Sequence, residues 1–156
     1  MTRAPFQVLV FPYRLRPGTG FEYAVFRRAD LGFWQGIAGG GEDAETPLEA
    51  AKREALEEGG IPRESTYLIL DSTATIPVVD IAGDLLWGDD VLVVPEHCFG
   101  VEAGALGITL SHEHLEFRWV GYEAARALLK YDNNKTALWE LDIRLRRQVS
   151  GGGARR

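Results

Sequence analysis

The chain has 156 residues, of which 46% are hydrophobic and 26% are charged. A chain of this length normally forms one domain, and this apolar content excludes intrinsic disorder for most of it. We therefore predict a single domain over residues 1–149 and a disordered C-terminal tail over residues 150–156, where three glycines are followed by an alanine and two arginines.

The charge balance argues against a nucleic acid polymer as the partner. There are 17 Lys and Arg residues against 23 Asp and Glu residues, a net charge of −6, whereas a surface that follows a phosphate backbone needs the opposite sign. The single cysteine, Cys98, has no partner for an internal disulfide, which suits a reducing compartment. No apolar run resembles a signal peptide or a membrane span, so we expect a soluble cytoplasmic protein.

Runs of β-branched and aromatic residues predict six strands, separated by turn signals such as RPGTG at residues 16–20. The predicted strands cover residues 7–15, 22–29, 33–38, 67–79, 91–103 and 117–120. Strands and helices do not alternate regularly, so the sequence predicts an α+β fold, an α/β/α sandwich in which helices flank a mixed sheet.

Three helices are predicted, and the first has the clearest boundaries. Thr46 is the expected N-cap, Pro47 the first helical residue, and Glu49 completes a capping box. The pair Gly59-Gly60 ends this helix. Two more are predicted over residues 122–130 and 135–148, with inward positions at Ala125, Leu128, Leu129, Leu138, Leu141 and Leu145.

Three glutamates of the first helix lie three and four residues apart, so Glu54, Glu57 and Glu58 share one helix face. Like charges at this spacing repel by a few tenths of a kcal/mol per exposed pair. Hard divalent cations such as Mg²⁺ and Mn²⁺ prefer carboxylate oxygens and would offset that repulsion. A merely solvated acidic face is the alternative that this spacing leaves open.

The segment around these glutamates resembles the Nudix box, G-x5-E-x7-R-E-U-x-E-E-x-G-U with U aliphatic. It reads GGGEDAETPLEAAKREALEEGGI over residues 39–61. Every constrained position matches, although Ala55 is smaller than the usual aliphatic residue. The matching residues are Gly39, Glu45, Arg53, Glu54, Ala55, Glu57, Glu58, Gly60 and Ile61.

The resemblance implies the Nudix fold, hydrolysis of a nucleoside diphosphate linked to a further group, and a role for each box residue. Glu54, Glu57 and Glu58 are implied to bind Mg²⁺, with Mn²⁺ as a substitute. Glu54 is the first choice for orienting or deprotonating the attacking water, and Arg53 is implied to hold the box carboxylates in place. In addition, Glu45 is implied to brace the loop, Gly39 and Gly60 to permit backbone angles or close approach, and the carbonyl of Ala38 to complete the metal shell.

Outside the box, the sequence resembles the dihydroneopterin triphosphate pyrophosphohydrolase-like branch, whose members also act on dATP. The similar segments are FWQ at residues 33–35, SHEHLEFRWV at 111–120 and KYDNNK at 130–135. This branch implies cleavage of a (deoxy)nucleoside or dihydroneopterin triphosphate to the monophosphate and pyrophosphate. It also makes Glu113 a candidate metal ligand or general base, with an exposed loop acid as the alternative.

Substrate contacts are predicted for four residues, each with a structural alternative. Trp34 offers an aromatic face for a pterin or purine ring, or it packs in the core. Arg27 alternates with Arg28 on one strand, and we expect Arg27 to reach the phosphates, with a solvated surface role as the alternative. Lys135 and Asn134 are candidates for contacts to phosphate or to the start of a helix.

Two other constellations are disfavoured. His112 and His114 are two residues apart, but neither a cysteine nor a third histidine is nearby in sequence to complete a zinc site. His97 and Cys98 are adjacent on a predicted strand and point to opposite faces, so they do not form a nucleophilic pair.

Alternative functions remain open within the family. Pro77 follows Ile61 by sixteen residues, near the position where ADP-ribose hydrolases of this family keep a proline. A non-catalytic nucleotide-sensing domain usually loses box glutamates, and none is missing here. Homodimers are common in the family, but no residue pattern in this chain demands one.

Overall fold

A mixed sheet of seven strands organises the part of the chain that the structure describes. The computed structural model describes residues 2–104 and 107–151. The strands are β1 (Arg3–Arg16), β2 (Gly20–Arg28), β3 (Trp34–Gln35), β4 (Ile37–Glu42), β5 (Tyr67–Pro77), β6 (Val93–Glu102) and β7 (His114–Val120). The helices are α1 (Pro47–Gly59), α2 (Val78–Ala82), α3 (Tyr122–Leu128) and α4 (Asp132–Ser150).

Strand β1 lies at the centre of the sheet, because its 14 residues pair with three other strands. Its N-terminal part pairs antiparallel with β4 and its C-terminal end antiparallel with β2, while β6 runs parallel to it. Strand β5 pairs antiparallel with β6, and both β3 and β7 pair antiparallel with β2. The resulting order is β3-β2-β1-β6-β5, with β4 on β1 and β7 on β2.

The two faces of the sheet carry separate cores, because successive side chains of a strand point to opposite faces. On β1, Val8 and Val10 pack on the side of α1, called here the α1 face, and Leu9 and Phe11 pack on the side of α4, the α4 face. Helices cover both faces, which confirms the predicted α/β/α sandwich. The α1-face core also includes Phe26, Ile37, Ala50, Ala51, Ala55 and Ile61, and the α4-face core includes Tyr23, Val25, Cys98, Leu138, Leu141 and Leu145.

Helix α1 begins and ends where the sequence predicts. The Thr46 side-chain oxygen accepts from the Glu49 N–H at 3.2 Å, and the Glu49 carboxylate accepts from the Thr46 N–H at 2.8 Å. Gly60 follows the helix with a φ of 70° and donates its N–H to the Leu56 carbonyl. Of the predicted inward positions of α3 and α4, Leu128 is half-buried and the others are buried, namely Ala125, Leu129, Leu138, Leu141 and Leu145.

The strand predicted over residues 33–38 is instead two strands, β3 and β4, and β4 includes all three glycines of the triplet. These glycines fit a strand because neighbouring side chains occupy the space where their Cβ atoms would lie. A Cβ on Gly41 would overlap the ring of Phe6, and one on Gly39 would overlap the carboxyl group of Glu54. Glycine is therefore required here for close approach rather than for a turn.

The strand predicted over residues 67–79 ends at Pro77, and Val78 begins the short helix α2. The Val78 N–H donates to the carbonyl of Leu92 at 2.9 Å, outside the sheet ladder. Strand β7 begins at residue 114, three residues earlier than predicted, because it extends its pairing with β2 as far as Arg28.

Helix α4 begins at Asp132, three residues before its predicted start, and ends at Ser150. Asn134 lies in its first turn, where its side-chain oxygen accepts from the Gly36 N–H at 2.9 Å. Most of the predicted tail, residues 152–156, lies outside the described residues. Within the described ranges, no helix has the length and hydrophobicity to cross a membrane.

A buried hydrogen bond joins β2 to α4. The Tyr23 hydroxyl donates to Asp142 Oδ1 at 2.6 Å, and both residues are buried. Burial and the adjacent Asp142 carboxylate raise the pKa of Tyr23, so the hydroxyl keeps its proton. Arg146 pairs with the other Asp142 oxygen at 2.9 Å. This contact fixes α4 against the sheet.

We expect Tyr23→Phe to lower the free energy of unfolding by about 1–2 kcal/mol, because Asp142 would lose a buried donor. Tyr13→Phe is the matched control on the same face, since the Tyr13 hydroxyl makes no hydrogen bond to residues 2–104 or 107–151 although Tyr13 is buried. It should change the free energy by less than about 0.5 kcal/mol. Urea unfolding of both variants measures the difference, and equal losses would contradict the assigned role.

Candidate active site

Arg53 on α1 connects the helix to β4 and to the loop between them. The side chain is only 9% exposed. Its Nε donates to Glu45 at 2.7 Å, and Nη2 donates to the Gly40 carbonyl at 2.7 Å. Its Nη1 donates to Glu54 at 3.0 Å and to Glu57 at 3.2 Å. The planar guanidinium therefore satisfies three carboxylates and one carbonyl at once.

Glu45 closes the loop that precedes α1. Its Oε1 accepts from the Glu42 N–H at 2.9 Å, and both of its oxygens accept from Arg53. The hydrogen bond from Arg53 lowers the pKa of Glu45, and the carboxylate form is favoured. Glu45 thus links the loop backbone at Glu42 to Arg53 on α1, as a residue that braces the loop would.

Glu54 and Glu58 lie one helical turn apart and are both buried. Burial raises the pKa of both carboxyl groups. A hydrogen bond between the two carboxyl groups raises the pKa of Glu58 further, and so do the negative charges of Glu54 and Glu113. Without a cation, the pair therefore holds a proton on Glu58. A divalent cation would replace that proton, as expected of a metal site.

The backbone of β4 lies close to the Glu54 and Glu58 pair. Gly39 faces the Glu54 carboxyl group so closely that a Cβ would overlap it. Ala38 comes just before on β4 and packs its methyl group on the opposite, α4-face core. At the other end of the helix, the positive φ of Gly60 allows the chain to turn away from Glu58.

The remaining predicted acids are arranged differently. The Glu57 side chain is 57% exposed and turned toward Arg53. Glu113 precedes β7, where its carbonyl accepts from the Ala29 N–H at 2.9 Å and its charge acts on Glu58. The structure therefore brings Glu113 to the same site as the box glutamates, although it is 55 positions away in sequence.

His114 is buried beside Glu58, with 3.9 Å between Nε2 and Oε1, while His112 is exposed. Burial lowers the pKa of His114. Among residues 2–104 and 107–151, no three His, Cys, Asp or Glu side chains form a ready metal cage. Mg²⁺ is usually held by one or two carboxylates plus waters and substrate phosphates. Glu54 and Glu58 fit that requirement.

The predicted substrate residues lie on the other face of the sheet. Arg27 pairs across strands with Trp34, and its Nε lies 3.3 Å from Glu116. Trp34 packs against the α4-face core beneath the guanidinium of Arg118, 4.8 Å from the ring centroid. Trp34 is half-buried, and its contact with a substrate ring stays a prediction. Lys135 lies 4.0 Å from Asp132 in the first turn of α4.

Arg28, which the sequence analysis did not select, is on the side of the glutamates. It is paired with His114 across β2 and β7, and its charge lowers the pKa of Glu58. Its Nε donates to Asp30 Oδ1 at 2.8 Å. Strand alternation separates Arg27 from Arg28, but only the pairing of β2 with β7 shows which of them faces the carboxylates.

The NUDIX domain family model matches residues 13–139, which is most of the chain. The chain belongs to the Nudix family. It is 30% identical over 123 residues to the dihydroneopterin triphosphate diphosphatase of Haemophilus influenzae, and the match covers 78% of each chain. It is 31% identical over 119 residues to the protein of the same name from Escherichia coli K12, with 75% of this chain and 79% of that one covered.

Solved Nudix structures have the same architecture. A NUDIX hydrolase from Listeria monocytogenes superposes with a TM-score of 0.83 and 42% identity, covering 93% of this chain and 97% of that one. The Escherichia coli dihydroneopterin triphosphate pyrophosphohydrolase gives a TM-score of 0.73 and 25% identity, with 92% and 99% covered. A Caenorhabditis elegans Ap4A hydrolase, at 0.70 and 20% identity over 92% and 98%, is alike in fold. As a Nudix hydrolase, the protein acts on phosphoric anhydride bonds.

The contact between Gly39 and Glu54 leads to the first prediction for this site. Gly39→Ala places a methyl group where the Glu54 carboxyl lies, so we expect Mn²⁺ affinity to fall about tenfold or more. Gly104→Ala is the control, because its Cβ would meet Arg14 at 3.6 Å and no other residue of the described part of the chain. Titration calorimetry with Mn²⁺ measures both variants. Affinity unchanged from the wild type in Gly39→Ala would contradict the assignment.

The raised pKa of Glu58 leads to the second prediction for this site. Between the ordinary glutamate pKa and the raised one, the folded protein binds more protons than the unfolded chain, so stability falls as pH rises. In a chelator, we expect Glu58→Gln to become more stable than the wild type by about 1 kcal/mol or more between about pH 6 and about pH 9. Glu57→Gln, at an exposed position, should follow the wild type.

Urea unfolding across that pH range provides the measurement. If the free energies of unfolding of Glu58→Gln and the wild type ran parallel with pH, Glu58 would not hold the proton.

Proposed function

We propose that this Nudix hydrolase is an Mg²⁺-dependent pyrophosphohydrolase. Its proposed substrate is a (deoxy)nucleoside or dihydroneopterin triphosphate, which it cleaves to the monophosphate and pyrophosphate. The observation that carries the proposal is the buried pair Glu54 and Glu58, held beside Gly39 by the Arg53 network. The similarity to two proteins named dihydroneopterin triphosphate diphosphatase supports the choice of substrate class.

Glu54, Glu57 and Glu58 would hold the metal, together with the carbonyl of Ala38, and Mn²⁺ is expected to replace Mg²⁺. The bound ions would neutralise polyphosphate charge and acidify a water molecule. The donor set is all oxygen, which suits either ion. The net charge of −6 is then compatible with an anionic substrate.

The protein's own residues position the reactants. Arg53 engages one oxygen of Glu54 and so fixes the carboxyl group that orients or deprotonates the attacking water. One water is consumed, the anhydride bond between the α- and β-phosphates breaks, and pyrophosphate leaves. Glu113, facing Glu58, is proposed as an additional metal ligand or base. Charge neutralisation and positioning are the main requirements of such a transfer.

Positively charged side chains on both faces of the sheet are available to bind the substrate phosphates. Arg28 lies on the side of Glu58 and would exchange Asp30 for a phosphate oxygen. The Nε of Arg27 lies 3.3 Å from the half-buried Glu116, and Lys135 is at the start of α4. We propose that Arg27, Arg28 and Lys135 contact the triphosphate group of the substrate or the pyrophosphate that leaves.

A substrate panel with product analysis tests the proposal. In Mg²⁺, the wild type should convert a triphosphate to the monophosphate and pyrophosphate. Glu54→Gln and Glu58→Gln should each lower kcat about a hundredfold or more, since each removes a charge from the metal site. Glu57→Gln should lower it more than about threefold.

Glu64→Gln is the control, because Glu64 is exposed in the loop after α1. Orthophosphate as the only phosphate product, or preference for ADP-ribose over every triphosphate, would contradict the assigned reaction. Tight nucleotide binding without turnover in Mg²⁺ or Mn²⁺ would instead identify a nucleotide-sensing domain.

A further inference from the structure

One buried side chain beside the carboxylate site has no role in the reaction proposed above. His114, the first residue of β7, has a side chain that is 2% exposed, and its ring centroid lies 5.3 Å from that of Phe26 on the α1 face. Its Nε2 is 3.9 Å from Glu58 Oε1, whereas its Nδ1 is buried without a hydrogen-bond partner within residues 2–104 and 107–151. Buried polar atoms are normally paired, so the placement of this imidazole needs an explanation.

A β-bulge turns His114 toward the carboxylates. On β2, Arg27 pairs with Glu116 of β7. The next residue of β2, Arg28, pairs with His114, so β7 contains one extra residue at position 115. With regular alternation, His114 and Glu116 would point to the same face. The bulge instead places His114 on the α1 face, while Glu116 stays beside Arg27 on the other face, and bulges next to active sites re-aim side chains in this way.

Glu58 is the buried carboxylate of the site that lies outside the Arg53 network. Arg53 forms its ion pairs with other glutamates, and Arg28, a cation on the same face, donates to Asp30. The ion pairs of the described residues give Glu58 one basic partner, His114. A metal-bound carboxylate is normally hydrogen-bonded by a second residue that fixes its orientation. Once a cation displaces the proton held by Glu58, the Nε2 of His114 is therefore the donor in place.

We propose that His114 is a positioning residue of the metal site, which donates its Nε2–H to the Glu58 carboxylate. Burial favours the neutral imidazole, which has one N–H and one acceptor nitrogen. The carboxylate beside Nε2 places the N–H on that nitrogen, so the unpartnered Nδ1 is the acceptor. His114 thus does for Glu58 what Arg53 does for Glu54. The assignment rests on the proposed function, because it takes Glu58 to be a metal ligand.

Three substitutions separate the N–H donor from the ring that carries it. His114→Gln places an amide N–H near the position of Nε2, His114→Asn places one nearer Nδ1, and His114→Phe keeps a ring without a donor. We expect the Mn²⁺ affinity of the Asn and Phe variants to fall about tenfold or more, because the carboxylate ligand loses its outer hydrogen bond. The Gln variant should stay within about threefold of the wild type. Titration calorimetry with MnCl₂ measures all three variants.

The stability of the same variants separates positioning from packing. In a chelator, His114→Phe should unfold at the same urea concentration as the wild type or at a higher one, because the buried Nδ1 has no partner to lose among the described residues. A residue with only a structural role would lose stability and metal affinity together, and glutamine would restore neither. His112→Phe is the matched control, since His112 is exposed two positions earlier, and it should bind Mn²⁺ as the wild type does.

Wild-type Mn²⁺ affinity in both the Phe and the Asn variants, or a loss in His114→Gln as large as theirs, would overturn the assignment. If His114→Phe did not fold, the comparison of the Gln variant with the Asn variant would decide it in the same way. The expected pattern of Mn²⁺ affinities without hydrolysis of any triphosphate would support this role of His114 and contradict the proposed reaction alone. Triphosphate hydrolysis by an enzyme whose Mn²⁺ affinity is equal in all variants would overturn the role of His114 alone.

Discussion

The guanidinium of Arg53 is the interaction on which the site depends. Glu45, Glu54 and Glu57 all accept hydrogen bonds from it, and it also binds the backbone of β4. Without a central cation, carboxylates this close would repel one another and the loop before α1 would open. The arginine is itself buried, and burial of its charge is tolerable only because nearly every donor is satisfied. The same contacts that stabilise the loop therefore hold the Glu54 carboxyl group still.

The architecture separates two kinds of chemistry across one strand. Strand β4 has glycines at successive positions, so Glu54 approaches it from the α1 face while Gln7 approaches it from the α4 face. Carboxyl groups that suit metal ions lie on the first side, whereas Gln7 and the hydrogen-bonded pair Glu96 and Asn133 lie on the second.

Local sequence signals were sufficient to predict an element's boundaries where the contacts that set them join residues close together in the chain. The capping box of Thr46 and Glu49 and the αL end at Gly60 are formed within the helix itself, so the α1 boundaries were predictable. The glycine triplet was not predictable as a strand, because its conformation depends on Phe6, Gln7 and Glu54 from other elements. The helix at Val78 and the early start of α4 also depend on distant contacts, to Leu92 and Gly36.

The sequence by itself determined the family, the sandwich architecture and the candidate carboxylates, because the box is contiguous and helical spacing brings its glutamates onto one face. Only the tertiary structure decided which strand residues share the site. Arg28 rather than Arg27 faces Glu58, and Gln7 meets Glu96 although 89 positions separate them. Each of these placements depends on strand register, and a shift of one residue would turn every side chain to the other face.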